Sequence, residues 1–250
     1  MIMNRTVERA MQILQIVSKN QKGTTLQEIA EALKIPKSSA YVIVQTLLSQ
    51  NYLAPMRYND KKYRIGLKLF TLGMHYVDDL NLVEQCALYL NPLADKYQKT
   101  AFVGVLEGNS IVYIHKYVSK DAVLASCALG SRKEVHATAL GKAILAFSDE
   151  ETRDKILDSI ELNPLTENTI TDRALLLDDL EKTRARGYSL DIKEHVNTTV
   201  CCGAPIFDYT GEVIAAISLS DVLLGPIEVM GEEVAQVARV ISNALGYVHI

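Results

Sequence analysis

Thr25-Leu26-Gln27-Glu28-Ile29-Ala30, followed by Leu33-Lys34-Ile35-Pro36-Lys37-Ser38-Ser39-Ala40-Tyr41-Val42-Ile43-Val44-Gln45-Thr46-Leu47-Leu48, reads as two short helices joined by a tight connection. Thr25 and Glu28 have the spacing of a capping box, in which the hydroxyl takes an orphan amide and the carboxylate reaches back to the cap. Leu26, Ile29, Ala30 and Leu33 supply an inner face, and Ile35-Pro36 stops the helix. Pro36 suits the first turn of the next helix, where a missing N–H costs nothing. From Lys37 to about Gln50, Ala40, Ile43, Val44, Leu47 and Leu48 fall on one side of a helical wheel. The opposite side collects Ser38, Val42, Gln45 and Ser49, with Ser39, Tyr41 and Thr46 at its edges, and carries no acid. Upstream, a helix from near Thr6 to about Lys19 is predicted to bury a stripe of Val7, Ala10, Met11, Leu14 and Val17, and Gly23 ends the connection.

Downstream, Tyr52-Leu53-Ala54-Pro55 and Lys62-Tyr63-Arg64-Ile65 flank Asn59-Asp60, a turn signal, and predict a β-hairpin whose tip and arms carry Arg57, Lys61, Lys62 and Arg64. A basic hairpin behind a helix–turn–helix is a winged helix. Met1–Gly66 holds ten Lys and Arg against four acids, a net +6; the whole chain is −4, which leaves −10 for the remainder. A polyanion is drawn to one end and repelled by the other. On this reading Lys37, Ser38, Ser39, Tyr41, Val42 and Gln45 form the face that enters a major groove. Ser and Gln would bond base edges there, and Val42 would meet a thymine methyl. The wing's Arg57, Lys61, Lys62 and Arg64 would take phosphates, which supply salt-dependent affinity without reading sequence.

The remaining chain is organised differently. Residues 67–81 read as a linker helix, and another helix follows over about Leu82–Lys99. Beyond Thr100 the period changes to two. Strands are predicted at about Ala101–Leu106, Ile111–Ile114, Ala122–Cys127, Tyr188–Asp191, Thr198–Phe207 and Val213–Ser220. Helices are predicted over about Leu140–Phe147, Asp172–Arg186 and Ile227–Tyr247. The fold class is α+β with a mostly antiparallel sheet, and the expected domains are 1–66, the linker 67–81, and 82–250. No apolar run approaches the roughly 18 residues that cross a bilayer, so the chain is expected to be soluble and cytoplasmic, away from membranes. Four cysteines lack CxxC spacing, and adjacent Cys201 and Cys202 would face opposite sides of a strand. Reduced thiols are the expectation.

Thr6-Val7-Glu8-Arg9-Ala10, Leu26-Gln27-Glu28-Ile29-Ala30, Pro36-Lys37-Ser38-Ser39-Ala40-Tyr41 and Tyr63-Arg64-Ile65-Gly66 together resemble the IclR family of bacterial transcriptional regulators. The resemblance continues through His136-Ala137-Thr138-Ala139-Leu140-Gly141-Lys142-Ala143, Thr169-Ile170-Thr171, Arg186-Gly187-Tyr188, Ala204-Pro205-Ile206-Phe207-Asp208 and Ala215-Ala216-Ile217-Ser218-Leu219-Ser220. Val42 departs from the family, which usually has Arg after the recognition-helix aromatic. The resemblance implies a GAF-like second domain that binds a small organic-acid effector against its sheet and takes part in oligomerisation. It also implies a homodimer, with a tetramer as a further possibility, reading an inverted-repeat operator, here as a repressor, with no cofactor and no catalysis.

By the same residue-by-residue carry-over, Ala139, Leu140, Asp191, Cys201, Ser218 and Ser220 are the expected effector contacts. The 136–141 segment leads into a helix whose N-terminal amides suit a carboxylate. Ser218 and Ser220 share one face of their strand. Asp191 would accept a bond from an effector hydroxyl, and its charge would oppose a second carboxylate, so a mono-acid or hydroxy-acid is preferred to a di-acid. Other readings remain open from the residues alone. Asp191, His195 and Cys201 suit a metal site with His136, or a hydrolase triad. Cys201 and Cys202 suit a redox sensor.

Overall fold

Helix α1 (Arg5–Ser18) starts where the Asn4 side chain accepts the amides of Thr6 and Val7, at 3.0 and 3.3 Å. The computed structural model describes residues 4–80, 82–123, 127–222 and 227–248, and the side chains of all of these except 74–80. The stripe expected on α1 is displaced. Ile13 and Val17 are the buried residues, while Val7 and Met11 are more than half exposed. Apolar residues surround this helix, so spacing alone admits two overlapping stripes, and packing selects the one centred on Ile13.

Strand β1 (Thr24–Thr25) leads into α2 (Leu26–Leu33). The capping box is present in both directions: Thr25 Oγ1 accepts the Glu28 amide at 3.2 Å, and Glu28 Oε2 accepts the Thr25 amide at 2.6 Å. Helix α3 (Lys37–Ser49) buries Ala40, Ile43, Val44 and Leu47 against Ile13, Val17, Ile29 and Leu53, which make one continuous core. The wing is β2 (Leu53–Met56) and β3 (Asn59–Ile65), with β1 on the other side of β3. Its turn is Arg57-Tyr58, since Met56 pairs with Asn59, and not the expected Asn59-Asp60. The Asn59 side chain accepts the Lys61 amide at 3.1 Å, so its turn-like bond sits inside the strand's first residues. Helix α4 (Leu67–Leu80) completes the first of two compact units, Met1–Leu80 and Asn81–Ile250.

The second unit runs α5 (Leu82–Tyr97), β4 (Thr100–Glu107), β5 (Ser110–Val118), β6 (Arg132–Glu134), α6 (Ala139–Phe147), α7 (Glu150–Asp158) and α8 (Arg173–Arg186). It then continues through β7 (Ser189–Ile192), β8 (Val200–Phe207), β9 (Val213–Asp221) and α9 (Ile227–Ala244). Six strands form one antiparallel sheet in the order β6-β5-β4-β9-β8-β7. Ser189 Oγ donates to the Ala139 carbonyl of α6 at 2.5 Å, whereas the ring of its neighbour Tyr188 packs on Gly231 of α9. Side chains alternate between the faces of a strand, so α6 and α9 cover opposite sides of the sheet. The core on the α6 side includes Phe102, Ile111, Leu140, Ile144, Leu176 and Leu180.

The short β6 and the helix α7 lie outside the elements expected from sequence. Residues 124–126 of the strand expected at Ala122–Cys127 lie outside the described residues, and 122–123 and 127–128 are not strand. The architecture is a winged helix–turn–helix followed by a GAF-like α+β domain with an antiparallel sheet.

Candidate DNA interface and ligand pocket

On α3, Lys37, Ser38, Tyr41, Val42 and Gln45 are exposed, Ser39 is half-buried, and Val42 is 64% exposed. Burying Ala40, Ile43, Val44 and Leu47 leaves these residues on the outer face. The Thr46 and Ser49 hydroxyls instead donate back to the Val42 and Thr46 carbonyls, at 3.0 and 2.8 Å. No side chain caps the start of α3, so its first amides and the positive end of its dipole are available to an anion. On the wing, Arg57, Lys61 and Arg64 are exposed and Lys62 is half-buried. Arg64 Nε donates to the Pro55 carbonyl at 3.3 Å, and the Arg57 guanidinium lies 5.7 Å from the Tyr58 ring centroid. A cationic hairpin and an acid-free helix face therefore share one unit.

In the second unit, the strand register brings together residues far apart in the chain. Asp191 pairs with Cys201, Cys201 with Ser220, and Ser218 with both Gly203 and Phe102. Gly203 lets α6 sit directly on this face, since a Cβ there would lie 3.1 Å from the Ala139 carbonyl group. Between the sheet and the first turn of α6 is a cavity of about 150 Å³, a volume that takes a benzene-sized molecule. All six expected contacts, Ala139, Leu140, Asp191, Cys201, Ser218 and Ser220, line it. His195, which the sequence placed with Asp191 and Cys201 only as a metal or hydrolase candidate, lines it too, and nothing in the sequence pointed to Phe102, Tyr113, Lys133 or the rest of the 195–199 wall, Val196, Thr198 and Thr199. Period-two alternation places Phe102 on this face once its register partner Ser218 is known. Nothing in the loop's composition announces the wall.

The Thr138 hydroxyl caps α6 by accepting the Gly141 amide at 3.1 Å. Ala139 and Leu140, whose first-turn amides have no intrahelical acceptor, line the cavity. Asp191 is 2% exposed, and its Oδ1 accepts the amides of Glu194 and His195 at 2.8 and 3.3 Å. Burial outweighs those bonds and pushes its carboxyl up to about 7. Near neutrality Asp191 is therefore partly protonated and can donate as well as accept. Burial, reinforced by Lys133, lowers His195, whose Nε2 lies 3.3 Å from Glu134 Oε2. Cys201 Sγ lies 3.0 Å from Ser220 Oγ, and burial, with Asp191 nearby, raises the thiol well above its usual range.

These facts bear on the other chemistries. A nucleophilic or redox-active cysteine needs thiolate character, which this environment opposes. Among the described residues no group of three or more His, Cys, Asp and Glu is placed to hold a metal ion. All four cysteines are unpaired, and Cys202, beside Cys201 on β8, is fully buried. Among the described residues no helix is long and apolar enough to cross a membrane.

Comparison with known proteins extends the picture to the whole chain. Residues 74–243 match the model of the bacterial transcriptional regulator IclR C-terminal domain, and residues 6–55 match that of the IclR helix-turn-helix domain. The HTH-type transcriptional regulator XynR of Escherichia coli K12 is 30% identical over 247 residues, 97% of this chain and 98% of that protein. The HTH-type transcriptional repressor AllR of the same strain is 31% identical over 253 aligned positions, 97% of this chain and 90% of that protein. An IclR homolog from Microbacterium hydrocarbonoxydans, solved as a complex with 4-hydroxybenzoate, shares the fold at TM-score 0.86 and 23% identity, covering 96% of this chain and 98% of that one. These regulators are DNA-binding proteins, not enzymes, with a helix–turn–helix head and an effector-binding domain, and the chain described here belongs to the IclR family of bacterial transcriptional regulators.

Proposed function

We propose that the chain is a repressor that binds an inverted-repeat operator as a homodimer and is controlled by one small organic acid held in the cavity of its second unit. The convergence of Ala139, Leu140, Asp191, Cys201, Ser218 and Ser220 on a single cavity carries the effector half of this reading. The ligand is a mono-acid or hydroxy-acid. Its carboxylate lies toward the first-turn amides of α6, and a hydroxyl bonds Asp191 or the Ser218 and Ser220 pair. The volume of about 150 Å³ favours a compact molecule. The Microbacterium homolog holds a hydroxylated aromatic acid, and that likeness supports the class without naming the compound.

For the head, α3 reads bases through Ser38, Ser39, Tyr41, Val42 and Gln45. Lys37, Arg57, Lys61, Lys62 and Arg64 take phosphates. One recognition helix per half-site on two-fold related subunits explains why a dimer and a palindromic site go together. The repressor relative AllR supports the sign of regulation. The effector acts by binding the DNA-competent and DNA-incompetent states with different affinity.

Two measurements test this reading together. Selection of duplexes from a random pool by the full-length protein should enrich an inverted repeat, and a thermal-shift series of small mono-, hydroxy- and di-acids should give one stabilising class. A stabilising acid should also release the selected duplex. Enrichment of a non-palindromic site would refute the dimeric operator, and stabilisation by di-acids alone would refute the effector class.

A further inference from the structure

Among the described residues Lys142 is the largest fully buried side chain, 1% exposed, and it does not line the cavity. Its Nζ lies 2.6 Å from Glu194 Oε1 and 2.9 Å from Asp179 Oδ2. Removing an ammonium from water is costly unless it is paired and bonded, so a buried lysine needs an explanation beyond packing.

Its partners supply one. Lys142 belongs to α6, whose first turn forms one side of the cavity, and Asp179 belongs to α8. Glu194 begins the segment that forms the opposite wall through His195, Val196, Thr198 and Thr199. The Glu194 main chain is held at both ends. Its amide donates to Asp191 Oδ1 at 2.8 Å, and its carbonyl accepts the Thr169 and Thr166 hydroxyls at 2.6 and 3.2 Å. The preceding Lys193 adopts φ +60°, a left-handed turn that a non-glycine residue keeps only where its surroundings enforce it. These main-chain bonds and the Lys142 contact meet at Glu194, where the wall begins, and the Lys142 ammonium joins that point to α6.

We propose that Lys142 and Glu194 are the positioning pair of the ligand pocket: their buried contact, made outside the cavity, clamps the 194–199 wall to α6 and sets the width of the opening. This assignment rests on reading the cavity as the effector site, yet its geometry is testable with no effector present.

Cys201 and Cys202 provide the readout. They are neighbours on β8, and of the two Cys201 lines the cavity, as Cys127 also does, while Cys202 and Cys86 are buried elsewhere in the same unit. The experiment is alkylation of the full-length protein by iodoacetamide at fixed pH, with fragment-ion mass spectrometry separating the two adjacent thiols. In Lys142→Met/Glu194→Met apolar side chains of similar volume replace the closer ion pair, and Asp179, which is 22% exposed and 3.9 Å from Arg186, keeps solvent and a cation, so folding is expected to survive. Cys201 should then label about tenfold faster than in the wild type, with Cys86 and Cys202 unchanged. Glu194→Gln, nearly isosteric and still able to bond Lys142, should give a smaller increase at Cys201, with Cys86 and Cys202 again unchanged. A rise at Cys86 and Cys202 together with Cys201 would show a merely structural pair and overturn the proposal. So would an unchanged Cys201 rate in either folded variant. A failed effector assignment would leave the labelling pattern intact, so the two ideas fail separately.

Discussion

Asp191 and Cys201 stand opposite one another in the register of β7 and β8, and both line the same cavity. The carboxyl keeps one oxygen on the amides of Glu194 and His195, while the thiol lies against Ser220. Burial raises the cost of ionising both groups, and the Asp191 carboxyl adds to that of the Cys201 thiol. The pocket floor is thus polar but reluctant to carry charge, which suits a ligand that brings a single carboxylate of its own.

The raised Asp191 carboxyl makes stability depend on pH. An unfolded chain releases this proton near 3.8, the native chain only near 7. Native stability should therefore fall as pH rises between those values, with the full penalty above the upper one. Asp191→Asn keeps an acceptor for the two amides and cannot titrate. Denaturant unfolding at pH 5 and pH 8 should show the wild type losing about 2–3 kcal/mol more than the variant over that interval. Parallel pH profiles would contradict the burial argument.

Gly141 lies where a Cβ would fall 2.1 Å from the Val135 carbonyl oxygen. Alanine in place of glycine ordinarily gains about 1 kcal/mol in a helix. Here the clash with main chain should outweigh that gain, leaving Gly141→Ala destabilised by about 2 kcal/mol or more. Thermal unfolding followed by circular dichroism decides the sign, and a raised midpoint would contradict the close approach.

Lys61 is exposed on the wing and its assigned partner is a phosphate. Lys61→Ala should weaken binding to specific and unrelated duplexes alike, and reduce the slope of log K against log salt by about one. Fluorescence anisotropy across a salt series measures both. A lost preference for one base pair with the slope unchanged would mean that the wing reads sequence.

Gln45 projects from the outer face of α3, one turn beyond Val42 and Tyr41. Gln45→Ala should cost about 1–3 kcal/mol at one position of the half-site and relax the choice of base there. Competition with single-base variants of the selected operator tests it. Equal losses at all positions would move Gln45 to the backbone.

Much of the head was legible because its signals are local. Thr25 and Glu28 are three residues apart and complete their box whatever surrounds them. Pro36 stops one helix and opens the next by its own covalent geometry. Where α1 offers apolar residues on most sides, spacing could not choose between Met11 and Ile13, and the core chose Ile13. The wing turn slipped to Arg57-Tyr58 because pairing across the hairpin, rather than the Asn59-Asp60 dipeptide, sets where the chain reverses.

For the pocket, the six residues taken from family resemblance line one cavity, and His195, which the sequence grouped with Asp191 and Cys201 for another chemistry, lines it with them. Val196, Thr198 and Thr199 form no periodic pattern, and the position of their loop follows from bonds of Glu194 to residues as distant as Thr169 and Lys142. Lys142 itself stands in the sequence only as one residue of the 136–143 stretch, which gives no sign of its burial.

Amino-acid order alone determined what depends on near neighbours: the caps, the helix stops, the alternation of the strands and the charge break between head and remainder. Only the tertiary structure decided which Lys is buried, which loop walls the cavity and how far the Asp191 carboxyl is shifted. Burial and desolvation arise from segments brought together across the sheet, and no window of sequence contains both sides of such a contact.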